Sequence, residues 1–140
     1  MPNHFKCLSV LGLAALLAAC GQHGSSGGNT LKGDIAEKIE RPGGGVAAIT
    51  TREAGDAKTP VRFHVYIQKS QDPAQAVEVL DMDKSAPPQL TWIDGNGLKL
   101  DIECGQIRRF SNFADVWSGS DQAHSEQIVV LLDNRGVCPG

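Results

Sequence analysis

The sequence predicts a mainly β fold: a small, mostly antiparallel sheet or sandwich of five to six short strands, carrying one disulfide and preceded by a flexible N-terminal tether. Three observations predict it. From Val46 onward apolar residues recur at every second position rather than at helical spacing. The stretch "QLTWIDGNGLKLDIEC" places two alternating arms around a turn-forming tetrapeptide. Two cysteines, Cys104 and Cys138, fall inside the alternating region and follow its hairpin and its last strand. At 140 residues the chain has room for one modest domain. Its 41% hydrophobic content supports a packed core. A net charge of −3 with interspersed signs supplies no basic surface for nucleic acid, so none is expected as a partner.

The first element is a leader. Lys6 is a positive n-region, Leu8 to Leu17 an apolar h-region, and Ala18 and Ala19 are the small residues before Cys20. The apolar stretch from Cys7 to Cys20 spans 14 residues, short of the ~20 needed to cross a bilayer. An ordinary signal peptide cut after Ala19, or a buried N-terminal helix, is compatible with the same composition.

Residues 21–30, "GQHGSSGGNT", hold no apolar side chain worth burying and read as a tether. Ten such residues reach about 17 Å. In "LKGDIAEKIERPGGG", Leu31, Ile35 and Ile39 have helical spacing, although Gly33 weakens a helix and Pro42 with its three glycines ends it. The division is therefore a signal peptide at 1–19, a linker at 20–45 and a β domain at 46–140.

Within that domain "VAAITT" is the first strand candidate. "VRFHVYIQ" is clearer: Val61, Phe63, Val65 and Ile67 face one side, and Arg62, His64, Tyr66 and Gln68 the other, on a half-exposed face. "VEVLDM" follows. The hairpin sets Leu90 and Trp92 against Leu98, Leu100 and Ile102, with Lys99, Asp101 and Glu103 facing water. "FSNFADVW", with Phe110, Phe113 and Trp117 at i, i+3 and i+7, is compatible with a helical turn but reads as an apolar loop capping the sheet edge, since Gly and Ser follow at once. "QIVVLLD" is apolar enough to lie inside the sheet. No internal repeat is present.

Cys104 and Cys138 form an even pair within an exported domain, which implies a disulfide between them. Neither belongs to a CxxC, and no histidine stands at ligand spacing from either.

Other chemistries lack support. His124 has Asp115, Asp121, Ser120 and Ser125 nearby, yet no serine lies in a G-x-S-x-G elbow. "DGNG" lacks the oxygen ligand where Leu98 stands and the closing Glu of a calcium loop. "RPGGG" lacks the Lys-Ser/Thr end of a phosphate loop. Glu78, Asp81 and Asp83 offer carboxylates for a weakly held divalent cation, but alternation places Glu78 opposite the two aspartates, so they read instead as solvated edge charges. Arg62, His64 and Tyr66 share one strand face and form the candidate ligand-binding row, a set suited to recognising an anion, although a half-exposed strand face carries such residues by default.

Leu17-Ala18-Ala19-Cys20 resembles the lipobox of bacterial lipoproteins. The resemblance implies cleavage between Ala19 and Cys20, diacylglyceryl on the Cys20 thiol and acylation of its freed amine. Two or more acyl chains make such attachment stable. Gly21, in place of the retaining Asp of many family members, implies the outer membrane where the host has one.

"GGGVAAIT", "REAGDAKTPVRFHVYIQ", "LTWIDGNGLKLDI" and "RRFSNF", over residues 43–113, also resemble a group of small exported bacterial β domains, many of them lipoproteins, with no assigned activity. The opening turn has Gly where that group usually has Asp or Asn. This likeness implies a β domain at a cell envelope and transfers no catalytic residue.

The expected function is thus non-enzymatic: a lipid-anchored cell-envelope protein that acts as a binding or accessory module. Its partners are the membrane, through the lipid, and an envelope protein; no cofactor and no metal is expected. The alternatives are a small-ligand or metal-binding module using Arg62, His64 and Tyr66, and a hydrolase using His124.

Overall fold

The computed structural model describes residues 31–69, 75–118 and 121–139. Ala19 and Cys20, with the whole leader and tether, lie outside the described residues. The described chain is mainly β, as its alternation predicts. Nine strands run in order: β1 Asp34–Glu40, β2 Ala47–Glu53, β3 Arg62–Gln68, β4 Val77–Asp83, β5 Gln89–Ile93, β6 Gly97–Ile102, β7 Gln106–Phe110, β8 Phe113–Ser118 and β9 Asp121–Asn134. They make two sheets. Sheet A has the order β1-β2-β3-β4-β7, and sheet B the order β5-β6-β9-β8. All pairings are antiparallel except β6 with β9, which run parallel.

The two sheets bury their inner faces against each other. Val46, Ala48, Phe63, Val65, Ile67, Val79, Leu80 and Met82 come from the sheet A side. Leu98, Leu100, Ile102, Ala114, Val116, Ile128 and Val130 come from sheet B. The period of two in β3 and β6 is what delivers these residues to one side. Leu90 and Trp92 pack against this core, and the Trp92 indole N–H donates to the Ile39 carbonyl at 3.3 Å.

Three strands depart from the sequence-based expectation. Residues 34–40, placed in the linker and given helical spacing, form edge strand β1, because Asp34 to Glu40 pair along β2 from Arg52 to Ala47. Tertiary pairing overrides a weak local periodicity here. "FSNFADVW" is strand rather than loop: β7 ends at Phe110 and β8 starts at Phe113, joining the two sheets. The hairpin turn is as expected, with Ile93 paired to Gly97 and Asp94 in the left-handed region at φ 50°.

Cys104 and Cys138 are disulfide-bonded, with Cα atoms 4.7 Å apart and 34 residues of sequence separation. At the other end, the Arg41 guanidinium reaches both Glu126 carboxylate oxygens and donates to the Gly95 carbonyl at 3.2 Å. One side chain thereby joins the β1–β2 turn, the β5–β6 turn and β9. The hydrogen bond from Arg41 holds the Glu126 carboxyl below its ordinary range.

Candidate functional site

The outer face of sheet A carries the polar chemistry of the molecule. Alternation along β3 puts Arg62, His64 and Tyr66 on this side, as the sequence indicates. Two of the three are not half-exposed, however. His64 is 0% exposed and Tyr66 1%. Tyr66 packs with Ile49, Ala76 and Leu31, and its hydroxyl accepts from the Lys32 backbone N–H at 3.2 Å.

His64 lies among carboxylates. Its Nδ1 is 2.7 Å from Glu78 Oε1, and its Nε2 is 2.8 Å from Glu53 Oε2. Asp81 Oδ1 stands 3.8 Å from Nδ1. The Tyr66 hydroxyl donates to Glu78 Oε1 at 3.3 Å. Both imidazole contacts are hydrogen bonds only when each ring nitrogen carries a hydrogen.

Two β-bulges assemble this cluster. In the β3–β4 ladder Val65 pairs with Leu80 but Tyr66 pairs with Glu78, so Val79 is an extra residue. Val79 and Leu80 both enter the core, and the inversion of alternation brings Glu78 and Asp81 to the same face. The reading of Glu78 as opposite the aspartates is therefore corrected. So is the reading of the three as edge charges: β4 lies between β3 and β7, and Asp81 and Asp83 are buried. In the β4–β7 ladder the pairs Asp81–Arg109 and Met82–Ile107 leave Arg108 extra. Arg108 and Arg109 consequently both reach the polar face, Arg108 to Asp83 and Arg109 Nη1 to Glu78 Oε2 at 3.0 Å.

The charges on this face are matched. Arg62 grips both oxygens of Asp81, with Nε at 2.6 Å from Oδ1. Lys32 Nζ is 3.6 Å from Glu78 Oε1. Burial of Asp81 pushes its pKa up, but the Arg62 hydrogen bond and the Arg62, His64 and Lys32 charges outweigh it, leaving the carboxyl below its ordinary value. The hydrogen bond to Asp81 raises Arg62. Burial lifts Tyr66 to about 12; the Lys32 backbone contact opposes this, and the Glu78 charge and hydrogen bond add to it.

Not every polar atom is satisfied. Thr51 pairs with His64 across β2–β3, and its fully buried Oγ1 has no hydrogen-bond partner among the described residues. The same holds for Asp83 Oδ1. An unpaired buried hydroxyl costs ~1–3 kcal/mol. Chemically, the cluster is a buried imidazole with two carboxylates converging on Nδ1 and a third on Nε2. The donor atoms of His64, Glu78 and Asp81 all lie within 4.8 Å of one another, close enough to hold a metal ion.

No family model, no curated protein and no solved structure matches this chain.

The candidate row Arg62, His64 and Tyr66 is thus brought together, but its cations already face carboxylates of the same chain, and it is not an open anion-binding surface. Sequence reasoning missed Glu53 and Glu78 as neighbours of His64. Their signal was the register, which a single sequence does not print. The His124 side chain lies outside the described residues; of the residues grouped with it, Asp115 is exposed and accepts from Gln127 at 3.4 Å. On the opposite sheet, Phe113 and Val129 are paired and each about half exposed, at 48% and 47%, with Leu131 beside them at 51%.

Proposed function

We propose that this chain is a lipid-anchored protein of the bacterial cell envelope, attached through Cys20, whose β sandwich serves as a binding or accessory module rather than an enzyme. The observation that carries the anchoring is Leu17-Ala18-Ala19-Cys20, placed directly behind a charged and apolar run. The Cys104–Cys138 bridge supports an oxidising compartment. A binding role is supported by the half-exposed apolar row Phe113, Val129 and Leu131, of the kind found at contact surfaces.

Mass spectrometry of the membrane-extracted protein tests the anchor. The expected product begins at Cys20 and carries diacylglyceryl and acyl mass. A product that retains residues 1–19, or an unmodified Cys20, overturns the reading. Crosslinking in the native host then identifies the envelope partner.

A second reading, binding of a small ligand on the outer face of sheet A, is favoured by one observation: the carboxylates of Glu53, Glu78 and Asp81 converge on His64. A ligand for that arrangement is a cation.

A further inference from the structure

We infer that His64, Glu78 and Asp81 form a binding site for one divalent transition-metal ion of zinc type, with Glu53 as the carboxylate that orients the imidazole. The inference deepens the second reading above and is independent of the lipid anchor, which the mass of the mature protein decides separately.

The donor set suits such an ion. One imidazole nitrogen and two carboxylate oxygens are the ligands of borderline divalent metals, and three protein ligands leave a position for solvent. Bonds of about 2.0–2.2 Å in tetrahedral geometry require donor atoms about 3.3–3.6 Å apart. The distances from Nδ1, 2.7 Å to Glu78 and 3.8 Å to Asp81, lie on either side of that range. Sub-ångström adjustment of two carboxylates is enough to reach it.

The surroundings suit it as well. Glu53 at 2.8 Å from Nε2 keeps the hydrogen on that nitrogen when Nδ1, which faces the other two carboxylates, gives up its own to make way for the ion. This carboxylate–histidine arrangement is the one metal-binding histidines use. Thr51, across from His64, supplies a buried hydroxyl that has no hydrogen-bond partner among the described residues. It can hydrogen-bond to solvent carried by the ion.

The exchange balances. The N–H bond at Nδ1 breaks, a nitrogen–metal bond forms, and the proton leaves to water. Excess positive charge is relieved by Lys32 and Arg62, which contact Glu78 and Asp81 from the solvent side. They are 49% and 38% exposed, so each can swing out and hydrate without uncovering core. The Tyr66 hydroxyl, 3.3 Å from Glu78 Oε1, remains as a donor to that carboxylate.

The test is calorimetric titration of zinc chloride into chelator-treated full chain, extracted from membranes in detergent. Wild type should take up one equivalent that Glu78→Gln and Asp81→Asn lose. Glu53→Gln, a change at a partly exposed position that keeps the fold, should weaken it about 10–100-fold. The melting temperature of the wild type should rise with zinc, and that of Asp81→Asn should not. Absence of a saturable equivalent in wild type overturns the inference. So does an equivalent whose affinity in Glu53→Gln and Asp81→Asn equals that of the wild type, which would place the ion at other histidines or at Cys20. Should Glu78→Gln fail to fold, the Glu53→Gln and Asp81→Asn titrations decide alone.

Discussion

Tyr66 is the one tyrosine of the chain, so its ionisation can be followed without interference from another phenol. Buried beneath Leu31 and Ala76 and facing Glu78, it titrates at about 12 in the folded protein. In an unfolded chain a tyrosine titrates near 10. Its folded value is raised, so the stability it contributes is complete below pH ~10 and disappears as pH climbs toward the folded value, amounting to roughly 2–3 kcal/mol across that window. Spectrophotometric titration of phenolate absorbance should give a single step near 12, moving to about 10 in denaturant. A native midpoint at the unfolded value would show that the outer face of sheet A is open to water. The same residue illustrates how far a strand pattern reaches. Alternation correctly places Arg62, His64 and Tyr66 on one side, but it does not disclose that the side is covered. Cover over Tyr66 comes from Leu31 and Ala76, which lie on other segments of the chain.

Strands behave likewise. β3, β5 and β6 are legible because most of their apolar residues alternate toward the core between the sheets, and β2 and β9 are legible from their apolar runs. β1 and β7 are not, since edge strands expose one or both faces and carry few apolar side chains to mark a period. The extra residues Val79 and Arg108 are invisible for another reason: a bulge is defined by the partner strand, not by its own sequence. The convergence of Glu78 and Asp81 on His64 depends on the Val79 bulge, which is why the row on β3 could be read and its carboxylate partners on β4 could not. The β5–β6 hairpin makes a sharper element-level prediction. A Cβ at Gly97 would lie 2.5 Å from the Ile93 carbonyl oxygen. Gly97→Ala should therefore force the strands apart and cost about 1–3 kcal/mol. A lowered urea midpoint with an unchanged slope would register this; an unchanged midpoint would show that the turn absorbs the methyl group.

At the level of the whole molecule, the Cys104–Cys138 bond links the end of β6 to the segment after β9, two strands that already lie side by side. Closing a loop of 34 residues restricts the unfolded chain by about 3–4 kcal/mol on the chain-entropy model. The paired variant Cys104→Ser with Cys138→Ser should lose that amount in urea unfolding, while keeping both sheets by circular dichroism. A loss far below it would mean that the unfolded chain is already constrained. The parallel pairing of β6 and β9 has its own consequence. β9 follows every other described strand in sequence yet occupies an inner position of sheet B, between β6 and β8. A chain delivered N-terminus first therefore presents β5, β6 and β8 before the strand that unites them. Until β9 arrives, the β6 edge that carries Leu98, Leu100 and Ile102 has no neighbour on that side, and the emerging polypeptide exposes an apolar, unpaired strand.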